Sequence, residues 1–171
     1  MLVWPVWLPS ARLAGAATLE SLEITGNTAL QSLATLPAEL PIASIRLTGN
    51  EGLIDLQGIG ARPGLSTLHI EGHDALVDLE GLHGLTTLDN LAILDNDALS
   101  DLSGLETLTT VTQRLDISFN DGLERFDGLD NLVTVYRNLN IRSNPHLGDG
   151  EALAFAARFE TLYVQIFGNG Q

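Results

Sequence analysis

Acidic side chains recur at a fixed spacing along the middle of this 171-residue chain. One column consists of Glu51, Asp74, Asp97 and Asp121, and a second consists of Asp55, Asp78 and Asp101. The pairs that could share an ion are Asp74 with Asp97 and Asp78 with Asp101. Carboxylate oxygens are the ligands that Ca²⁺ prefers, so these pairs raise the hypothesis of a calcium site. Alternatively, each carboxylate accepts a hydrogen bond from a backbone N–H two residues on and forms a turn.

The composition narrows the classes of partner. The chain has 22 acidic residues against 8 basic ones, and its formal net charge is -14. Such a surface repels nucleic acids and anionic membranes, so we predict neither as a partner. Cysteine is absent, which excludes disulfides and thiolate metal sites. No apolar run approaches the roughly 18 residues of a spanning helix, so membrane insertion is not predicted either.

Six copies of one pattern position the acidic columns. The pattern is apolar-x-apolar-x-x-Asn-x-x-Leu, and its copies follow one another at 23 or 24 residues. The Asn position, which we call the Asn ladder, is occupied by Asn27, Asn50, His73, Asn96, Asn120 and Asn144. After it, leucines recur in three-residue steps, and Gly58, Gly81, Gly104 and Gly128 precede one of them. We call each copy a unit.

The two halves of a unit favour different conformations. Apolar residues two apart predict a short strand with one buried face, and leucines three apart predict a return path of tight turns. One unit has almost no interior, whereas stacked units share a continuous core beneath one parallel sheet. The sequence therefore predicts a leucine-rich-repeat-like parallel β-solenoid of six to seven units over residues 19–147.

The Asn ladder is expected to be structural. A strand that turns out of a sheet leaves backbone groups without partners, and an Asn amide can both donate to them and accept from them. His73 can also donate and accept, so we interpret it as a ladder substitute, with a ligand role as the alternative.

Strand side chains between the core positions should form an exposed sheet face. The candidate binding residues on it are Arg46, His69, Glu71, Leu94, Asp116 and Arg142. Among them Leu94 is the apolar anchor that a protein or glycan ligand would contact.

The two ends differ from the units. Residues 1–18 carry Trp4 and Trp7 and are expected to cap the first unit, in preference to serving as a signal peptide. Residues 148–171 predict a short helix at about 150–158 and one more strand. That strand would leave an open edge, which either continues into a longer protein or meets a second copy end to end.

Two stretches carry a family resemblance. "GLETLTTVTQRLDISFNDGL" (104–123) and "GLDNLVTVYRNLNIRSNPHL" (128–147) resemble the receptor L-domain repeat, which is related to leucine-rich repeats. The resemblance implies a right-handed β-solenoid at the cell surface or in the envelope, of the kind found in bacterial surface proteins, that binds ligands without catalysis. The chain departs from that family in lacking cysteine-stapled ends and in the two prolines of residues 33–44.

These observations predict a non-enzymatic recognition or scaffold module that binds a protein or glycan through the sheet face and needs no cofactor. A calcium-binding structural solenoid is the first alternative. A polysaccharide-acting enzyme is the second, but units of 23 or 24 residues leave no long loops to wall a cleft, and no nucleophile or phosphate-binding motif occurs.

Overall fold

Parallel strands repeat along the chain at the spacing of the units. The computed structural model describes residues 19–60 and 62–170, so the predicted cap at residues 1–18 lies outside the described residues. The elements are β1 (Leu19–Thr25), β2 (Ile42–Thr48), β3 (Thr67–Glu71), β4 (Thr87–Leu94), β5 (Thr110–Ser118), β6 (Thr134–Val135), β7 (Asn138–Arg142), α1 (Asp149–Ala156) and β8 (Tyr163–Phe167).

One sheet contains every strand, in the order β1-β2-β3-β4-β5-β7-β8, with the short β6 also paired to β5. All pairs are parallel, and equivalent positions of successive units face one another, as Leu91 faces Leu68 and Leu115. Most inward strand residues and most leucines of the return path are buried in one continuous core, whereas inward residues of β1 and β8, such as Ile24 and Ile166, are only partly buried. Over the described residues, the predicted parallel β-solenoid of about six turns with one short helix is confirmed.

The return path consists of tight turns, as the three-residue leucine spacing predicts. The N–H of Leu82 donates to the carbonyl of Leu79 at 3.2 Å, and the N–H of Leu85 donates to that of Leu82 at the same distance. Between units, the N–H of Leu79 donates to the carbonyl of Ser103 at 2.8 Å. The return path is therefore held both within its own unit and to the next unit.

The irregular return path of the first unit is held by Arg62, a buried arginine of the second unit that the pattern does not reveal. Arg62 is 5% exposed, and its guanidinium donates to the carbonyls of Leu36, Pro37, Leu40 and Gly58 at 2.8 to 3.2 Å. Burial lowers the pKa of this guanidinium, with Glu39 acting against the shift. One side chain thus supplies several donors to the carbonyls of the proline-containing turn.

The C-terminal helix α1 begins one residue before the predicted range of 150–158 and ends two residues before its end. The Phe155 ring stacks on Phe126 of the preceding unit, with ring centroids 4.1 Å apart. No helix in the described part of the chain is long and apolar enough to cross a membrane.

Candidate functional site

The Asn ladder satisfies the backbone at the end of each strand. Oδ1 of Asn120 accepts the backbone N–H of Asn96 at 3.1 Å, and its Nδ2 donates to the carbonyl of Ile93 at 3.0 Å. Asn50, Asn96 and Asn144 make corresponding bonds to the unit before. Five of the six predicted positions are fully buried, and Asn27 is half-buried. The predicted structural role of the ladder fits these contacts.

A seventh ladder residue, Asn169, extends the series by one position. Its Oδ1 accepts the backbone N–H of Asn144 at 3.2 Å, and its Nδ2 donates to the carbonyl of Ile141 at 3.1 Å. The signal in the sequence is the same strand pattern, with Val164 and Ile166 preceding this Asn.

His73 fills its ladder position incompletely. Its Nδ1 accepts the backbone N–H of Asn50 at 3.2 Å, whereas its Nε2 is buried without a hydrogen-bond partner. Burial lowers the pKa of this imidazole, and the carbonyls of Asn50 and Leu47 oppose the shift. The ring is therefore held neutral, and the third unit lacks one bond that its neighbours make.

Replacing His73 with asparagine is expected to stabilise the fold. The new Nδ2 would donate to the carbonyl of Leu47, as Asn96 donates to that of Ile70 at 3.2 Å, and regain about 1 kcal/mol. The wild type should lose stability as the pH falls through 6.5, because the unfolded imidazole binds a proton that the folded one resists. The variant should lack this decline, so urea unfolding at pH 7.5 and pH 5.5 measures both effects.

His83→Asn is the matched control for that measurement. His83 is exposed, and its hydrogen bond to Glu80 raises its pKa, so its contribution is present below pH 6.5 and fades as the pH rises through the folded-state pKa. Removing it should slightly weaken the fold at the lower pH. A His73→Asn protein with the wild-type pH profile would contradict the assignment.

The second acidic column forms turns. Oδ1 of Asp78 accepts the backbone N–H of Glu80 at 2.9 Å, and Oδ1 of Asp101 accepts that of Ser103 at 3.0 Å. Burial would raise the pKa of Asp101, but the hydrogen bonds from Ser103 and Ser100 outweigh it and lower that pKa. These bonds fit the interpretation of this column as repeated turn formers.

The first acidic column lies on the solvated corner of the solenoid. Asp74 and Asp97 are exposed, and Oδ1 of Asp97 lies 3.4 Å from the backbone nitrogen of Asp121. The described residues contain no group of three or more His, Asp or Glu side chains arranged to hold a metal ion.

Three columns of outward strand side chains form the sheet face. The columns are Ser21, Ser44, Thr67, Asn90, Arg114, Asn138 and Tyr163; Glu23, Arg46, His69, Ala92, Asp116, Asn140 and Gln165; and Thr25, Thr48, Glu71, Leu94, Ser118, Arg142 and Phe167. Three of the chain's arginines and three of its 22 acidic residues lie on this face. Its charge is therefore balanced on an otherwise strongly acidic molecule.

A depression of about 310 Å³ lies in the middle of the sheet face. Ala92 forms its floor, because its methyl group stands between two larger side chains, His69 and Asp116, on the neighbouring strands. Arg46, Asn90, Leu94 and Arg114 also line it. Since strands lie about 4.8 Å apart, the gap between the two flanking strands is about 9.6 Å.

The wall on the N-terminal side is a cluster of Arg46, His69 and Glu71. Nε2 of His69 lies 2.5 Å from Oε2 of Glu71 and 3.0 Å from Nη1 of Arg46. Arg46 also reaches Oε2 of Glu71 at 3.6 Å, while its side chain remains 47% exposed. The guanidinium is thus positioned by its neighbours and remains accessible to solvent.

The opposite wall is organised by Asp116. The prediction that this residue is exposed is wrong, because its side chain is 1% exposed. Its carboxylate accepts hydrogen bonds from Ser118 Oγ at 2.5 Å, from Asn140 Nδ2 at 3.1 Å, and from Arg114. Burial would raise the pKa of Asp116, but the bonds from Ser118, Asn140 and Arg114 outweigh it and lower that pKa. An ionised carboxylate therefore holds Arg114 in place.

The six predicted sheet-face residues are brought together only in part. Arg46, His69, Leu94 and Asp116 line the depression, Glu71 supports its wall, and Arg142 lies beyond, with its Nη2 3.5 Å from Asp116. Leu94 is half-buried, so it offers less apolar surface than expected.

The prediction did not include the column that contains Asn90 and Arg114. The strand alternation extends to these positions and could have identified them.

Comparisons with family models, with curated proteins and with solved structures found no match. The fold and the site define the class as a parallel β-solenoid with a charge-balanced depression on its sheet. The resemblance to receptor L-domain repeats stays a prediction based on the repeat motif.

Proposed function

We propose that this chain is a non-enzymatic recognition module that binds a protein or glycan through the depression over Ala92. The repeat resemblance supports a place at the cell surface or in the envelope. The observation that carries the proposal is a pair of walls, built by Arg46 with Glu71 and by Arg114 with Asp116, on either side of a small apolar floor.

The charge distribution favours the sheet face over the rest of the surface as the binding site. Most described acids lie off the sheet face, where they repel anionic ligands and bind water strongly. On the sheet face, the guanidiniums of Arg46 and Arg114 are about half exposed and offer donors to a polar ligand, and the partly exposed carboxylate of Glu71 offers an acceptor. Sugar hydroxyls and peptide groups need both kinds of partner.

The walls are also held before any ligand arrives. Arg114 is fixed by the buried carboxylate of Asp116, which is itself fixed by Ser118 and Asn140. A side chain already ordered loses less conformational entropy on binding, which typically saves about 0.5 to 1.5 kcal/mol per residue. The face is therefore suited to selective binding of a small polar group.

Filling the depression provides the test. Wild-type protein is used to select binders from a glycan array and from a displayed peptide library, and their affinities are remeasured by titration calorimetry with Ala92→Trp. We expect a loss of at least about tenfold, or 1.4 kcal/mol, because the indole would occupy the floor.

Val77→Trp is the control, since Val77 is 53% exposed and lies outside the strands. Binders that keep their affinity for Ala92→Trp, or that lose it equally with Val77→Trp, would contradict the proposal. Leu94→Arg gives a second variant in the same depression and should weaken the same binders.

A further inference from the structure

The C-terminal end of the solenoid is apolar. Ten large hydrophobic side chains are exposed in the described part of the chain, and seven of them belong to the last two units and α1. These seven are Val133, Tyr136, Leu153, Leu162, Tyr163, Val164 and Phe167. Val164 occupies the core column of Leu115 and Leu139, yet it is 46% exposed because no strand of the described residues packs beyond it. Apolar surface concentrated in this way marks an interaction site.

The same end carries no net charge. Residues 131–171 contain three arginines, Arg137, Arg142 and Arg158, and three acids, Asp149, Glu151 and Glu160. The net charge of -14 therefore resides in residues 1–130. Two copies that meet at their C-terminal ends bring neutral surfaces together and keep their acidic parts apart, whereas a head-to-tail contact places a neutral end against an acidic one.

Strand β8 is the last strand of the sheet, and its outer edge has no partner among the described residues. The N–H of Tyr163 donates to Arg137 at 2.8 Å, and the carbonyl of Phe167 accepts from Ser143 at 3.0 Å, so both residues direct these groups toward β7. Backbone groups alternate in direction along a strand. The N–H and C=O groups of Val164 and Ile166 therefore point to the free edge.

We propose that two copies of this chain pair through β8 in antiparallel orientation about a two-fold axis at Gln165. Val164 of each copy exchanges both backbone hydrogen bonds with Ile166 of the other copy, which satisfies the free edge. Tyr163 lies opposite Phe167 of the other copy, and such aromatic pairs stabilise antiparallel strands. The arrangement accounts for two exposed aromatic side chains, 72% and 53% exposed, on one short strand.

The absence of cysteine makes this pairing directly testable. In the proposed register Gln165 faces its own copy at a non-hydrogen-bonded position, where Cα atoms lie about 4.5 Å apart, within the range of a disulfide. Under mild oxidation the full chain with Gln165→Cys should form a covalent dimer at least about tenfold faster than one with Gln31→Cys. Gln31 is an exposed glutamine in the first unit and serves as the matched control.

Sedimentation measures the association without a crosslink. Wild-type protein should show a concentration-dependent dimer, and Val164→Lys should sediment as a monomer with an unchanged circular dichroism spectrum, since a charged residue at an edge opposes pairing. Ile54→Lys, at a 52% exposed position far from β8, should leave the dimer intact. A monomeric wild type, or a dimer in which Gln165→Cys crosslinks no faster than Gln31→Cys, would overturn the proposal.

Discussion

Replacing Gly104 with alanine is expected to destabilise the fold strongly. Gly104 has φ +112°, and a Cβ placed on it would lie 2.1 Å from the carbonyl oxygen and 2.4 Å from the carbonyl carbon of Leu79. These atoms belong to the backbone of the previous unit, so no side-chain rotation relieves the overlap. We expect a loss of at least about 4 kcal/mol, which is a large part of the stability of a domain this size.

Gly150→Ala is the matched control, because a Cβ there meets no atom within 4 Å. Gly150 lies in helix α1, where alanine should leave the stability unchanged or raise it by up to about 1 kcal/mol. Thermal melting followed by circular dichroism compares the two variants. If Gly104→Ala has the Tm of the wild type, the backbone of Leu79 can move away from the added Cβ without loss of stability, which would contradict this prediction.

Replacing Asn120 with alanine should have the second largest effect. Asn120 is fully buried, and its loss leaves the N–H of Asn96 and the carbonyl of Ile93 without partners. Each unpaired buried group costs about 1 to 3 kcal/mol, so we expect a loss of about 2 to 6 kcal/mol in urea unfolding. Asn138→Ala is the control, since Asn138 is an exposed asparagine on the sheet face, and it should change stability by less than about 0.5 kcal/mol.

The Asn120→Asp variant keeps the shape of the side chain but replaces its Nδ2 donor with an oxygen, so it tests the donated hydrogen bonds alone. The carboxylate keeps an acceptor for Asn96 but turns a second oxygen toward the carbonyls of Ile93 and Ser118. Burial raises the pKa of such a group, so the folded state binds more protons than the unfolded state, and stability falls as the pH rises. Relative to the wild type at the same pH, the variant should be destabilised less at pH 4 than at pH 7. The reverse order would contradict the role of Asn120 as a donor to both carbonyls.

Much of the fold follows from the sequence because the period is strict. The Asn ladder and the leucine steps fix which residues face inward, and the observed register places equivalent residues of successive units opposite one another. Asn169 was missed because it lies 25 residues after Asn144 and the chain reaches residue 171 before the following Leu of the pattern could occur. A search for the full pattern, which includes that Leu, therefore does not find Asn169.

The candidate site follows from the sequence less completely. Alternation correctly places Asp116 on the outward face, but Arg114, Ser118, Asn140 and Arg142 surround it. Which long side chains fold over a neighbour depends on rotamers and not on the period. Arg62 escapes prediction for a similar reason, since its partners are carbonyls up to 26 residues away, in a turn that departs from the pattern.

The Asn ladder bonds in one direction along the chain. The side chain of Asn50 holds the backbone of Asn27 and Ile24, and that of Asn144 holds the backbone of Asn120 and Ile117, so each unit is completed by the unit that follows it. During synthesis on the ribosome, folding must therefore trail elongation by one full unit. The Asn-ladder bonds between successive units are also alike. If a gene gained or lost one whole unit, the same bonds would form at the new junction.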